Sequence, residues 1–263
     1  MSSERFSRIE RMVGPEGLRR LASAHVTVVG LGAVGGYAVE ALARAGVGRL
    51  RLVDCDIIRP SNFNRQIHAL ESTLGLTKAE AARRRVLDIN PDCIVEPLEI
   101  FAHLETLDRI LRGPPDLLVD AIDSVGPKVE LIGAALRRHI PLVSCMGAAL
   151  RTDPARLRTA PLSQTRSCPF AKQIRKRLRQ EGLPVDFPCV YSDEPVHGLP
   201  EEAIDRTGAH AEEVLERGRR RRTLGSLPTL TGIFGLVTAN LALKTILGEL
   251  FPGSGPEQEM LRP

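Results

Sequence analysis

Val28-Val29-Gly30-Leu31-Gly32-Ala33-Val34-Gly35-Gly36 ends a β-branched run and opens a stretch with helical spacing. The glycines fall as GxGxxG between a short strand, Val26–Val29, and a helix read over Val34–Ala45 and closed by Gly46. In that pattern Gly30 permits the tight turn and Gly32 lets the backbone approach a phosphate. Gly35 lets the helix pack on the sheet. The helix start then offers unpaired N–H groups and a positive dipole end to an anion. Leu50–Val53 reads as the next strand, and Asp54 at its end stands where a ribose hydroxyl would be held. Alone, this stretch specifies a nucleotide site, with a nicotinamide dinucleotide as the default ligand.

Working outward, strands and helices alternate. Residues 1–24 form a helical lead-in broken at Gly14-Pro15. Thr77–Asn90 reads as a helix capped by Thr77 and stopped before Pro91. Ile94–Glu99, Leu117–Ile122 and Pro141–Ser144 read as strands, with a helix over Val129–His139. This order predicts an α/β, Rossmann-like, doubly wound and mostly parallel sheet with helices on both faces. Beyond residue 150 the pattern weakens. Pro184–Pro200, with prolines at 184, 188, 195 and 200, reads as a surface loop, and Glu201–Arg222 as a charged, mobile stretch. Thr229–Leu247 is the last helix. The apolar Leu227–Leu247 segment contains Asn240 and Lys244, so it reads as buried in the fold and not as a membrane span. The expectation is one domain over 1–250: a nucleotide-binding part at about 25–150, a substrate or crossover part at about 151–250, and a disordered tail at 251–263.

Composition narrows the function classes. The 263-residue chain has 43% apolar and 26% charged residues, an ordinary globular balance. Tryptophan is absent and aromatics are 3%, which argues against a base-stacking surface for single strands. The net charge of +4 favours an anionic partner, a nucleotide or RNA. Lys172–Arg179 and Arg217–Arg222 each carry five cations, either as solvated faces or as phosphate-docking surfaces. No two of the five cysteines are spaced CxxC, so no zinc ribbon is indicated. An odd count and an N-terminus without an apolar core fit reduced thiols in a cytoplasmic protein.

The residues around the turn shift the reading from dehydrogenase to adenylation. Asp54-Cys55-Asp56 is followed by Ser61-Asn62-Phe63-Asn64-Arg65-Gln66, then Lys78, then Asp123. Asp54 and Asp123 both fall beyond strand ends, where ligands bind in such sheets. A dehydrogenase has no evident use for Arg65 with Lys78. A triphosphate has: both supply positive charge, and Asp123 can ligate Mg²⁺ through one carboxylate.

At this point the sequence resembles a known superfamily. VVGLGAVGG, LVDCDIIRPSNFNRQ, GLTKAE and DAIDS are similar, in order, to the ATP-site motifs of the ThiF/MoeB (ubiquitin-activating-enzyme-like) adenylyltransferases, over about residues 5–150. The resemblance implies ATP and Mg²⁺ as cofactors. Asp54 would hold the ribose, Asn62, Arg65 and Lys78 the phosphates, and Asp123 the metal, with Asp56 a further residue of the nucleotide site. It also implies a homodimer in which an N-terminal arginine, Arg8 or Arg11, enters the partner's site. NRQIHAL, AIDSVGPK, IPLVSCMGAALRTDPARL, FPCVYSDEP and LGSLPTLTGIFGLVTAN narrow the likeness to the tRNA threonylcarbamoyladenosine dehydratase branch, up to about residue 248. That branch implies tRNA as substrate, with the basic helix Lys172–Arg179 on its phosphates. It also implies a cysteine desulfurase with its sulfur acceptor as a partner. One departure is that Arg217–Leu224 lacks the crossover cysteine of some relatives, which leaves Cys189 only a weak candidate for covalent chemistry beside a structural thiol. The alternatives are adenylation of the C-terminal glycine of a ubiquitin-like sulfur carrier, an NAD-dependent dehydrogenase, and a non-catalytic adaptor.

Overall fold

All five residues of β1 (His25–Val29) are buried, as expected of a strand covered on both faces. The chain is seen here as a computed structural model that describes residues 4–195 and 224–254. β1 pairs in parallel with β2 (Arg49–Val53) on one side and with β4 (Leu117–Asp120) on the other. β3 (Ile94–Leu98) extends the sheet beyond β2, and β5 (Leu142–Cys145) extends it beyond β4. The full order is β3-β2-β1-β4-β5-β7-β6, with β6 (Leu157–Pro161) and β7 (Pro188–Ser192) completing it. It reverses direction between β1 and β4, so the crevice of a doubly wound sheet opens beyond the carboxyl ends of those two strands.

Helices cover both faces. α2 (Gly35–Arg44), α3 (Lys78–Ile89) and α7 (Pro228–Leu247) bury Ala38, Leu42, Val86, Ala239 and Ile246 on one face. α4 (Leu107–Ile110), α5 (Val125–Arg137) and α6 (Pro169–Gln180) bury Ile110, Leu131 and Ile174 on the other. The lead-in α1 (Ser7–Ser23) breaks at Gly14, as expected from Gly14-Pro15. It packs on the carboxyl end of α7, where Arg20 donates to the Leu247 carbonyl. Thr77 caps α3 by accepting from the Glu80 N–H at 3.2 Å.

The stretch read as a proline-rich surface loop is corrected in part. β7 (Pro188–Ser192) lies inside it and is inserted between β5 and the antiparallel edge strand β6 (Leu157–Pro161). Pro188 is tolerated because it is the first residue of the strand. Cys189, Val190, Tyr191 and Ser192 are buried. α5 also begins four residues before the sequence-based start, with Ser124 at its N-cap position. Pro228–Leu250 is long and apolar enough to cross a membrane, yet 56% of its most apolar window is buried in the fold against α2 and the sheet. The Arg217–Arg222 run and most of the expected mobile and tail segments lie outside the described residues. Phe251–Ser254 continue α7 as a turn.

Candidate active site

The glycine turn follows β1 at the crevice. Gly30 has φ +89°, and a Cβ there would lie 2.8 Å from the Ala121 carbonyl oxygen. At Gly35 a Cβ would fall 1.7 Å from the Gly30 carbonyl oxygen. These two glycines are therefore demanded by the fold. Gly32 is different: its Cβ would meet nothing closer than Gln66 Nε2 at 3.9 Å. Its openness fits a ligand's approach, the role expected of it from the motif.

Asp54 ties the turn to the end of β2. Its Oδ2 accepts from the Leu31 N–H at 2.7 Å and its Oδ1 from the Asp56 N–H at 2.9 Å. A carboxylate has about four acceptor positions, so these two bonds leave capacity for a ribose hydroxyl. Burial raises the Asp54 carboxyl above its ordinary pKa, with the Asp56 charge adding and Lys78 opposing.

Lys78, the first residue of α3, is brought across from the far side of this acid pair. Its backbone N–H donates to the Asp56 carbonyl at 2.9 Å and its Nζ to Asp56 Oδ2 at 2.7 Å. Burial by itself would favour loss of the ammonium proton. The charges of Asp54 and Asp56, the Asp56 hydrogen bond and the charge of Asp123 outweigh it, and the pKa ends above the ordinary value. Lys78 thus feels Asp54, Asp56 and Asp123 together, although Asp123 lies far from the other two in the chain. Asp123 comes just past β4, beside a Ser124 hydroxyl that is buried and without a partner among the described residues.

The loop at 61–68 roofs the turn. Asn62 is buried, and its Oδ1 accepts from the Arg59 N–H at 3.1 Å, so it shapes the loop itself. Arg65 is on the same loop, but its Nη1 is held by the Ser61 carbonyl at 2.9 Å and Asn64 Oδ1 at 2.8 Å. The structure therefore groups Gly32, Asp54, Asp56, Lys78 and Asp123, and leaves Arg65 bonded to its own loop. Arg8 and Arg11 are exposed on α1. The residue before that helix, Phe6, meets Gly46 at the opposite, amino-terminal edge of the sheet. Neither arginine belongs to the site of its own chain.

Asp54, Cys55 and Asp56 have ligand atoms within 4.8 Å of one another, but as a set they do not suit a metal. Both Asp54 oxygens already accept backbone N–H groups, and Asp56 Oδ2 holds Lys78. Burial and the two flanking carboxylates push the Cys55 thiol up to about 12, so the soft ligand stays protonated. Asp123, a hard oxygen donor, suits Mg²⁺ better. Cys189 is fully buried, and burial pushes its thiol up to about 12, which fits a structural thiol and not a nucleophile.

Three features of the site have no individual role assigned from the sequence. Gln66 stands over Gly32, and His68 packs beside Gly36, its Nδ1 3.4 Å from where a Cβ would lie. Asp120 and Lys128 form a buried pair behind Asp123. The signal for that pair is a charged residue ending the otherwise apolar strand LLVD.

The ThiF family model matches residues 6–262. The chain belongs to the ThiF family. A Bacillus subtilis ThiF relative named tRNA threonylcarbamoyladenosine dehydratase is 39% identical over 87% of this chain and 90% of its own length. An Escherichia coli relative of the same name is 35% identical over 94% of each chain. Among solved ThiF structures, E. coli tRNA N6-threonylcarbamoyladenosine dehydratase, TcdA, in complex with ATP, superposes with a TM-score of 0.81. It is 33% identical, covering 94% of this chain and 95% of that one.

Proposed function

We propose that this ThiF protein is an ATP-dependent dehydratase that cyclises threonylcarbamoyladenosine in tRNA through an acyl-adenylate. A carboxylate is a poor electrophile because its leaving group would be oxide. Attack by a carboxylate oxygen on the α-phosphorus of ATP expels pyrophosphate and leaves an acyl-adenylate. The ureido group of the same modified base then attacks the acyl carbon and loses a proton, and AMP departs with the carboxylate oxygen. The net change in the nucleoside is loss of one water. The nucleophile is intramolecular, so proximity supplies much of the rate and no catalytic cysteine is needed.

The observation that carries this reading is the convergence of Lys78 with Asp54, Asp56 and Asp123 around the open face of Gly32. Lys78 would offset charge developing on the phosphates, joined by Arg65 after a change of rotamer. Mg²⁺ held by Asp123 would supply further positive charge there. Asp54 and Asp56 would hold the ribose side, and Asn62 would keep the loop over the phosphates. The exposed cations of α6 would hold tRNA phosphates. The enzyme would work as a cytoplasmic homodimer in which Arg8 or Arg11 completes the partner's site, served by a cysteine desulfurase and its sulfur acceptor.

The test is purified enzyme with ATP, Mg²⁺ and tRNA bearing the linear modification, followed by nucleoside mass spectrometry. Loss of one water is the expected result. An unchanged mass with folded, ATP-binding protein refutes the reading. Asp123→Ala should abolish turnover, and retained activity would remove Asp123 from its role.

A further inference from the structure

Behind Asp123 lies a fully buried charge cluster that the proposed chemistry does not use. The side chains of Lys128 and Asp120 are both 0% exposed, with Lys128 Nζ 2.7 Å from Asp120 Oδ2. The ammonium has three protons, and the structure gives it three acceptors. The other two are the Ile122 carbonyl at 3.0 Å and the Cys145 carbonyl at 2.8 Å. The Phe170 ring covers it, with its centroid 5.7 Å from Nζ. Asp120 is equally well satisfied. Its Oδ2 also accepts from Ser144 Oγ at 2.6 Å and its Oδ1 from the Ile122 N–H at 3.1 Å.

Ile122 is thereby pinned at both polar groups, its N–H by Asp120 and its C=O by Lys128. The peptide leading into Asp123 is held at its carbonyl by the ammonium. Ala121, just before it, is fixed to β1 by its N–H and packed on Gly30 through its carbonyl. Lys128 also reaches Cys145, the last residue of β5, so one ammonium ties together the ends of β4 and β5 that frame the crevice. A buried ion pair contributes little to stability compared with well-packed apolar side chains, so stability alone is a weak reason for placing one here. Orientation of an adjacent functional group is a role that apolar packing could not fill, because only a multiple donor can hold two carbonyls and a carboxylate at once.

We infer that Lys128 is a positioning residue whose ammonium locks the Ile122 carbonyl and thereby fixes where the Asp123 carboxylate is presented in the crevice. This rests on the adenylation reading of the site. The lock acts through the backbone and Lys128 touches no reactant.

Two variants of the full chain test it. Lys128→Met removes the donor and leaves Asp120 unpaired. Lys128→Gln with Asp120→Asn removes both charges and keeps hydrogen-bonding groups, so it leaves no buried charge unpaired. In either folded variant kcat should fall about as far as in Asp123→Asn, with KM for tRNA within about twofold of wild type. Adding Asp123→Asn to the variant should produce little further loss, since both changes disable one unit. Hydrogen exchange at Ile122, whose amide the cluster holds, should accelerate by about tenfold or more while the glycine-turn amides keep their protection, a readout independent of turnover. A folded variant with kcat within about threefold of wild type overturns the inference, as do losses that multiply with those of Asp123→Asn. Should neither variant fold, the wild type decides: exchange of the Ile122 amide as slow as in β4 supports the lock, and exchange as fast as in an open loop overturns it. If wild-type enzyme leaves the modified tRNA unchanged, the dehydratase reading fails, and Ile122 exchange in the variants still judges Lys128.

Discussion

At the scale of single residues, the site is decided by which charges are neutralised and by what. Lys78 faces three aspartates, so its removal should cost more than that of a generic surface lysine. Lys78→Met keeps the aliphatic stem and deletes the charge. It should lower the rate of ATP-dependent pyrophosphate release by about 10²-fold or more, as expected when a preorganised charge facing a developing anion is removed. A reduction below about tenfold would show that Lys78 serves Asp56 and not the phosphates.

His68 gives a second residue-scale expectation. It is 5% exposed, neither ring nitrogen has a partner among the described residues, and burial lowers its pKa to about 4, the nearby charges of Glu40 and Arg85 opposing each other. Between about pH 6.5 and 4 the unfolded chain binds a proton at this position and the folded chain does not. Stability at His68 is therefore full above about pH 6.5 and falls as pH drops toward 4, by at most about 3 kcal/mol. His25, also lowered to about 4 by burial and by Arg49 and Arg51, adds in the same direction. His68→Leu should flatten the decline in melting temperature between about pH 7 and pH 4.5. An unchanged slope would assign the acid limb elsewhere.

At the scale of elements, the position of α2 depends on α7. A Cβ on Gly235 would lie 2.4 Å from the Val34 carbonyl oxygen and 2.6 Å from Tyr37 Cβ. α7 thus crosses the first turn of α2 at backbone contact, just behind the glycine turn. Gly235→Ala must push the two helices apart. The expected cost is about 1–3 kcal/mol of stability, read by denaturant unfolding, with weaker ATP binding because Val34 belongs to the turn. Unchanged ATP affinity in a destabilised variant would separate α7 from the site.

α6 makes a different kind of contribution. Its apolar stripe, Ala171, Ile174 and Leu178, is buried, which forces Lys172, Lys176, Arg177 and Arg179 outward. If these cations meet the tRNA backbone, Lys172→Gln with Lys176→Gln should weaken tRNA binding whatever the sequence. The slope of log K on log salt should flatten by ~0.7–0.9 for each phosphate that is no longer neutralised. ATP affinity should not move. An unaltered salt slope would return α6 to the status of a solvated face.

At the scale of the whole molecule, the arginine assigned to the proposed site would come from a second copy of the chain. Arg8 and Arg11 stand at the amino-terminal edge of the sheet and the nucleotide crevice at the carboxyl edge, so either arginine can act only on a second copy. A two-fold dimer makes that exchange reciprocal. Inactive Arg11→Ala and inactive Asp123→Ala proteins, mixed and allowed to exchange subunits, should recover about a quarter of wild-type activity, because about half the dimers carry one intact site. No recovery from mixed dimers, with Arg8→Ala giving none either, would exclude an arginine acting in trans.

The sequence alone determined the nucleotide half of the protein, because its signals are local. A β-branched run, GxGxxG, and then an acid at the next strand's end fix a strand–turn–helix through the conformations those residues permit. The parallel order follows from alternation of elements. The carboxyl half was less legible. Pro188 hid β7, since proline argues against a strand until its position as the first residue is known. Which charges meet was decided only by the tertiary structure. Lys78 bonds Asp56 and feels the charge of Asp123 because α3 starts at the crevice, and Arg65, equally basic in the sequence, is bonded to its own loop. Lys128 looks like an ordinary helix lysine until the fold closes β4, β5 and α6 around it. Electrostatic partners are set by packing across distant segments, and nothing in local spacing encodes that.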